Sequence, residues 1–269
     1  MPNALYPPLK PRSFAELLDA VLQIFRLSLL KCLPYATLAT IASQLWSLYY
    51  QCRGLPPQFD ANDPVAVAIH GIGTLIFVML ATMLLLRQSS IAAGRPVAGA
   101  AELLDTLKRA PAIVAISLLA GAAIAMFMVP ALALAPPYRT AGILVMMAPA
   151  IYIGIALSFA LPALMLARKG VLGSIAYSFR LVRGNWWRVA GLYGVGLGVV
   201  LTLWLLVAAV IAMALSDNST DDAAIARAIS SAAVLAVFAV GLTFYSALTL
   251  ALFGDLEVRR LATPPVPRI

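Results

Sequence analysis

APAIVAISLLAGAAIAMFMVPALALAPPYRTAGILVMMAPAIYIGIALSFALPALMLA, residues 110–167, holds a single charged residue, Arg139. As one helix this stretch would rise more than about 75 Å, against a hydrocarbon layer of ~30 Å. Pro136 and Pro137 interrupt it beside Arg139, and proline disrupts helical pairing. The run therefore reads as two membrane spans joined by a short turn. Working outward, four more stretches of over twenty residues lack Asp, Glu, Lys and Arg. They lie between Lys31 and Arg53, Asp63 and Arg87, Arg188 and Asp217, and Arg227 and Asp255. The sequence predicts an all-α polytopic membrane protein with six transmembrane helices.

Composition agrees. Charged residues make up 11% of the chain and hydrophobic ones 62%, with a mean hydropathy of +0.95. Soluble domains carry about 25% charged residues, so the bilayer is the solvent and residues 1–269 read as one integral membrane domain. Residues 1–12, with Pro7, Pro8 and Pro11 and no apolar core of signal-peptide type, are expected to form an extended tail. Cys32 and Cys52 stand at opposite ends of the first span, roughly 30 Å apart along a helix, too far for a disulfide. Both read as buried apolar thiols.

Charge placement predicts orientation. If the chain alternates sides at each span, starting from the N-terminal tail, sixteen of the nineteen Lys and Arg fall on the first side; only Arg53, Arg139 and Arg227 fall on the other. The first side is then cytoplasmic and both termini are inside, as for a bacterial inner (plasma) membrane protein. Trp46, Tyr49, Tyr50 and Tyr138 fall near the outer boundary, Trp186 and Trp187 near the inner one, where amphipathic rings favour the headgroup zone.

A threefold pattern underlies the spans. Residues 13–31 place Glu16, Asp19, Gln23 and Arg26 on one helical stripe, and residues 99–109 do the same with Glu102, Asp105 and Arg109. The run Glu16, Leu17, Leu18, Asp19 recurs letter for letter as Glu102, Leu103, Leu104, Asp105. In residues 170–188, Arg183 and Arg188 keep the five-residue spacing of Arg26 and Lys31. Ser13, Gly99 and Gly170 take the N-cap place, and Ser13 with Glu16 fits a capping box. The pattern predicts three cytoplasmic-side amphipathic helices, each preceding two spans, in a pseudo-threefold parallel repeat with units of roughly 13–88, 99–167 and 170–258.

The opening RSFAELLDAVLQIFR, the stretch LPALMLARKGVLGSIAYSFRLVRGNWWRVAG and the closing FGDLEVRRL resemble a bacterial family of uncharacterised six-span inner-membrane proteins. That family is similar to the membrane domain fused to some glycerophosphodiester phosphodiesterases. The resemblance implies six helices and amphipathic cytoplasmic helices. It brings no catalytic residues, because the catalytic barrel of those fusions is a separate domain.

The residues themselves offer little chemistry. His70 has no Cys, Asp or Glu at helical spacing beside it, and a metal site needs three or four ligands; a His bonded between helices or facing the interface is the expected reading. Asp217, Asp221 and Asp222 do not follow a calcium loop and read as a solvated turn. The pairs Glu16/Asp19 and Glu102/Asp105 sit in first helical turns, where capping and the helix dipole account for them. No span carries a central charge, which argues against a carrier coupled to ions. Pro34, Pro130, Pro149 and Pro162 are candidate helix breaks. Gly194, Gly198 and Thr202 form a small-residue face suited to helix packing.

The strongest candidate for function is residues 180–188: Arg180, Arg183, Trp186, Trp187 and Arg188 around a break at Gly184 and Asn185. Arginine grips phosphate with paired donors, and basic residues favour an anionic surface. Arg26, Lys31, Lys108 and Arg109 are the matching positions in the other units. The ordinary reading of such residues is topological anchoring. The expected function is a non-catalytic membrane protein that engages phospholipid headgroups, without cofactor or metal. Its expected partners are membrane phospholipid and a second copy or another membrane protein, not nucleic acid. A transporter or channel for an uncharged or amphiphilic substrate is the alternative, favoured if a cavity is lined by Ser43, Gln44, Thr243 or Tyr245. An accessory domain for phosphodiester chemistry is a weaker one.

Overall fold

The computed structural model describes residues 5–56, 58, 60, 62–96, 99–215 and 223–262, with side chains throughout except at 214–215 and 223–229. The acidic turn with Asp217, Asp221 and Asp222, the side chain of Arg227, and Arg268 lie outside these residues. Among the described residues the chain folds into ten helices and no strand: α1 (Phe14–Ser43), α2 (Leu45–Cys52), α3 (Pro64–Ala92), α4 (Gly99–Lys108), α5 (Ala110–Leu132), α6 (Pro136–Leu157), α7 (Ala160–Met165), α8 (Val171–Val182), α9 (Trp186–Leu215) and α10 (Ala223–Ala262). Five segments are long and apolar enough to cross a membrane: Pro64–Ala92, Ala110–Leu132, Pro136–Met165, Trp186–Met213 and Ser230–Ala262. The chain is a multi-pass membrane protein.

Local sequence explains the boundaries. At α1 the Ser13 hydroxyl accepts from the Glu16 N–H (3.2 Å) while the Glu16 carboxylate accepts from the Ser13 N–H (2.6 Å). That reciprocal pair satisfies two of the donors a helix start leaves open, and the Ser13 N–H holds the Glu16 carboxyl below its usual range. The Pro136–Pro137 turn does separate two helices, α5 and α6. Pro34, Pro130 and Pro149 sit inside α1, α5 and α6. Pro162 does accompany a break, between α6 and α7, where proline cannot donate to the carbonyl four residues back. Ser178 of α8 bridges the gap: its hydroxyl donates to the Ala156 carbonyl (2.6 Å) and accepts from the Phe159 N–H (3.1 Å). The break at Gly184 is equally physical, since Gly184 adopts φ +85°, a region that glycine enters without a Cβ penalty.

Residues 13–31 differ from expectation. They form no separate helix but continue without interruption into residues 32–43, and Leu17, Val21 and Ile24 are buried in the main core. Pro34 gives up one bond of the ladder, to the Leu30 carbonyl, without ending the helix, and the 30-residue α1 packs along α3 and α10. Gln44 ends this helix and begins α2. The matching tetrapeptides also do opposite jobs. In α1, Glu16 is exposed and Leu17 buried; in α4, Glu102 is buried and Leu103 exposed. Cys32 is buried as expected, but Cys52 is exposed, because α2 ends there at the rim of the bundle.

Burial is uneven. The largest core joins the first half of α1, the end of α3, α7, α8, the start of α9 and the last turns of α10, at the end of the bundle that carries Arg180, Arg259 and Arg260. Towards the other end α5 and α9 expose Leu118, Met126, Leu205 and Leu206. The apolar window of α9 is 6% buried within the protein and that of α10 56%. Such a surface needs lipid, since soluble monomers rarely expose large apolar patches. Lipid is as apolar as Leu, so helix association rests on close packing and buried hydrogen bonds. Gln88 supplies one such link: fully buried, it donates to the Ser28 hydroxyl (3.2 Å) and the Thr243 carbonyl (2.9 Å), tying α3 to α1 and α10. The N-terminal tail is also part of the packing. The Leu5 and Tyr6 N–H groups both donate to the Ala92 carbonyl, and Tyr6 and Pro8 lie against Gly254.

Candidate functional site

Asp255 organises the arginine-rich end. Its side chain is fully buried and lies 2.8 Å from Arg259 Nε and 3.3 Å from Arg188 Nη2. It also accepts from the backbone N–H of Arg12 at 2.7 Å. The carbonyl of Arg12 in turn accepts from Arg188 and Arg259, each at 2.6 Å. A buried carboxylate is tolerated only when paired and hydrogen-bonded, and here it fastens the tail to the starts and ends of two spanning helices. Arg188 is therefore spoken for inside the protein.

Beside this hub, Arg180, Arg183, Arg259 and Arg260 line a recess of about 800 Å³ together with Pro11 and Asn185. Helix α8 carries Arg180 on its last turn, the loop presents Arg183, and Arg259 and Arg260 project from the end of α10. The Arg260 guanidinium sits 4.8 Å over the Tyr177 ring, whose hydroxyl donates to Glu257 (2.9 Å). Burial, then the Glu257 bond, push the Tyr177 phenol up from its ordinary pKa. Arg180 and Arg183 also border a smaller cleft of about 280 Å³ that reaches Tyr152 and Trp186. Trp186 stacks on Tyr152 at 5.6 Å and meets Trp187 edge-on at 4.7 Å. Its indole N–H is buried without an acceptor among the described residues.

Trp186 in turn borders a chamber of about 690 Å³ among α1, α3, α6, α9 and α10. The walls are apolar except for a few hydroxyls and the Gln44 amide. Ser43, Gln44 and Tyr245 line it; Thr243 does not, its carbonyl being taken by Gln88. Tyr193 stacks on Tyr245 at 5.2 Å and shares a hydrogen bond with Thr249. Gly194 also faces this chamber, and a Cβ there or at Gly198 would meet nothing within 4 Å. Thr202 bonds only its own helix, at the Gly198 carbonyl. Close approach of α9 and α10 occurs instead at Gly196, facing Leu248, and at Gly241, facing Val200.

The remaining basic positions stand apart. Arg26 and Lys31 are exposed on α1, and Lys108 is exposed at the end of α4. Arg109 donates to the Leu164 carbonyl (2.8 Å) and pairs with Asp105 at 3.6 Å. None of these four lines the basic recess. The carboxylates of α4 are both paired: the buried Glu102 with Arg87 at 3.5 Å, and the half-buried Asp105 with the exposed Arg168 at 2.9 Å. Arg87 is further steadied by the Tyr35 ring and hydroxyl. His70 meets Trp46 edge-on at 6.4 Å, and no metal-binding group of three or more His, Cys, Asp or Glu occurs among the described residues.

Sequence reasoning missed Asp255, Arg87 and Gln88. The one signal for Asp255 was its place four residues before Arg259 at the close of an apolar run.

Residues 110–263 match the family described as the membrane domain of glycerophosphoryl diester phosphodiesterase. The chain belongs to that family. The matched membrane domain takes in α5 through α10, and with them every arginine of the basic recess and three walls of the chamber. Helices α1 and α3, which supply the other walls, precede the matched segment. No curated protein and no solved structure shows detectable similarity to the chain.

Proposed function

We propose that this chain is a non-catalytic protein of the bacterial inner membrane that holds the headgroup of an anionic phospholipid in the recess of Arg180, Arg183, Arg259 and Arg260. Six crossings in three parallel units, both termini cytoplasmic, put that recess at the inner headgroup level. α1 supports the sixth crossing, since it packs along α3 and α10, two of the long apolar helices. The observation that carries the reading is that four arginines line one pocket, Arg259 among them while its guanidinium also holds Asp255. Guanidinium matches phosphate oxygens with paired donors, and an inner-leaflet surface attracts such charge. A non-catalytic role is supported by the acids: Glu102, Asp105 and Asp255 are all engaged by arginine.

The test leaves Arg188 and Arg259 alone, because both hold the buried Asp255. With Arg180→Gln, Arg183→Gln and Arg260→Gln combined, the affinity for anionic phospholipid is expected to fall about a hundredfold, given roughly 1 kcal/mol for each of the three basic residues at an anionic surface. Native mass spectrometry of the full chain reads it. Undiminished affinity would overturn the reading.

A second reading has a specific observation behind it: the chamber bordered by Ser43, Gln44 and Tyr245 suits passage of an uncharged or amphiphilic molecule. Transfer of a labelled amphiphile between the leaflets of proteoliposomes separates transport from binding.

A further inference from the structure

The headgroup reading concerns only the rim, yet the rim recess does not stand alone. Arg180 and Arg183 border both it and the cleft behind it, and Trp186 borders both that cleft and the chamber. Three neighbouring spaces thus share lining residues, in order from the arginines to the apolar walls. Along α9 the chamber extends from Trp186 to Val200, about 21 Å of helix, more than the roughly 15 Å of one hydrocarbon leaflet. Polarity changes in the same order: four arginines, then an indole whose N–H has no acceptor among the described residues, then Leu, Val, Ile and Phe side chains. An ion would be served by the first space alone and a hydrocarbon by the last alone. One kind of molecule has that sequence of parts.

We propose that the recess, cleft and chamber form one site for a single anionic phospholipid, with its phosphate at Arg180 and Arg183 and one acyl chain passing Trp186 between α6 and α9 into the chamber. This rests on the headgroup reading and deepens it. Tyr152 and Trp186, stacked across α6 and α9, flank the point where the chain leaves the cleft. The floor of the site includes Gly194, whose missing side chain keeps the chamber open. The chamber is thereby a specificity element: it selects lipids by chain length, whereas the arginines select by charge.

The experiment titrates the full detergent-solubilised chain, by native mass spectrometry, with dioleoyl phosphatidylglycerol and with its dihexanoyl counterpart. The long-chain lipid is expected to bind at least about tenfold more tightly, since each buried methylene contributes to transfer from water. Gly194→Leu, whose Cβ would meet nothing within 4 Å, narrows the chamber and should cut that ratio to below about threefold. Ala190→Leu, on the same wall, is the second variant and should act likewise if the first fails to elute as a folded species. Arg180→Gln with Arg183→Gln should weaken both lipids by a similar factor. If the long-chain preference is missing in the parent chain, or persists in the narrowed variants, the chain sits elsewhere and the inference falls while the headgroup reading stands. If the arginine variant binds both lipids as the parent does, the headgroup reading falls first.

Discussion

Asp255→Ala is expected to lower stability in detergent by about 3–5 kcal/mol, the usual cost of removing one partner from a buried ion pair. The physical reason is what remains behind. Arg188 and Arg259 keep their charges at a site whose buried carboxylate is gone, and the Arg12 N–H loses its acceptor. The tail, the start of α9 and the end of α10 would then separate from one another. Thermal unfolding followed by loss of a monodisperse elution peak checks the direction. Pairing Asp255→Asn with Arg188→Gln should recover part of the loss, because one stranded charge leaves with its partner. A single Asp255→Ala change that left the unfolding midpoint in place would show that the buried cluster contributes nothing to cohesion.

The second large effect is expected at Gly73. A Cβ there would collide with the backbone carbonyl of Ala42, which belongs to α1 and has little freedom to withdraw, since it is backbone in a packed helix. Small residues at such crossings let helices in lipid approach closely enough for packing to hold them. Gly73→Leu should therefore cost about 1–3 kcal/mol through overpacking, read as a lowered unfolding midpoint and faster proteolysis of the extracted protein. Gly71→Leu, two residues away with nothing near its Cβ position, is the matched control and should be close to neutral. Equal effects at both positions would contradict a close α1–α3 crossing.

The apolar helices were legible because hydrocarbon solvation is a local rule: a stretch such as residues 64–86 declares itself by lacking charge. The Pro136–Pro137 turn and the break at Gly184 were legible for the same reason, each being a backbone constraint written in one or two residues. Asp255 was not, since its partners Arg12 and Arg188 lie far along the chain and its one local signal, Arg259 four residues on, suits a solvated aspartate at a span end equally well. The tetrapeptide shared by α1 and α4 shows the limit most plainly. A polar stripe in a membrane protein can face water or its own arginines, and Arg87, on another helix, decides the matter for Glu102. The basic recess was half legible: Arg180 and Arg183 stood out, but only folding brings Arg259 and Arg260 to them. Arg188 stood with Arg180 and Arg183 among the candidate headgroup residues, whereas beyond the break at Gly184 it pairs with the buried Asp255.

The account depends on the arginine-rich end facing the cytoplasm and its opposite end, where the exposed Cys52 lies, facing away. Accessibility labelling of intact cells carrying Arg183→Cys tests this directly, with the native Cys52 as internal reference. A membrane-impermeant thiol reagent should label Cys52 and leave the introduced thiol untouched until the membrane is opened. Labelling of the introduced thiol from outside, with Cys52 protected, would contradict the orientation and with it an inner-leaflet lipid at the recess.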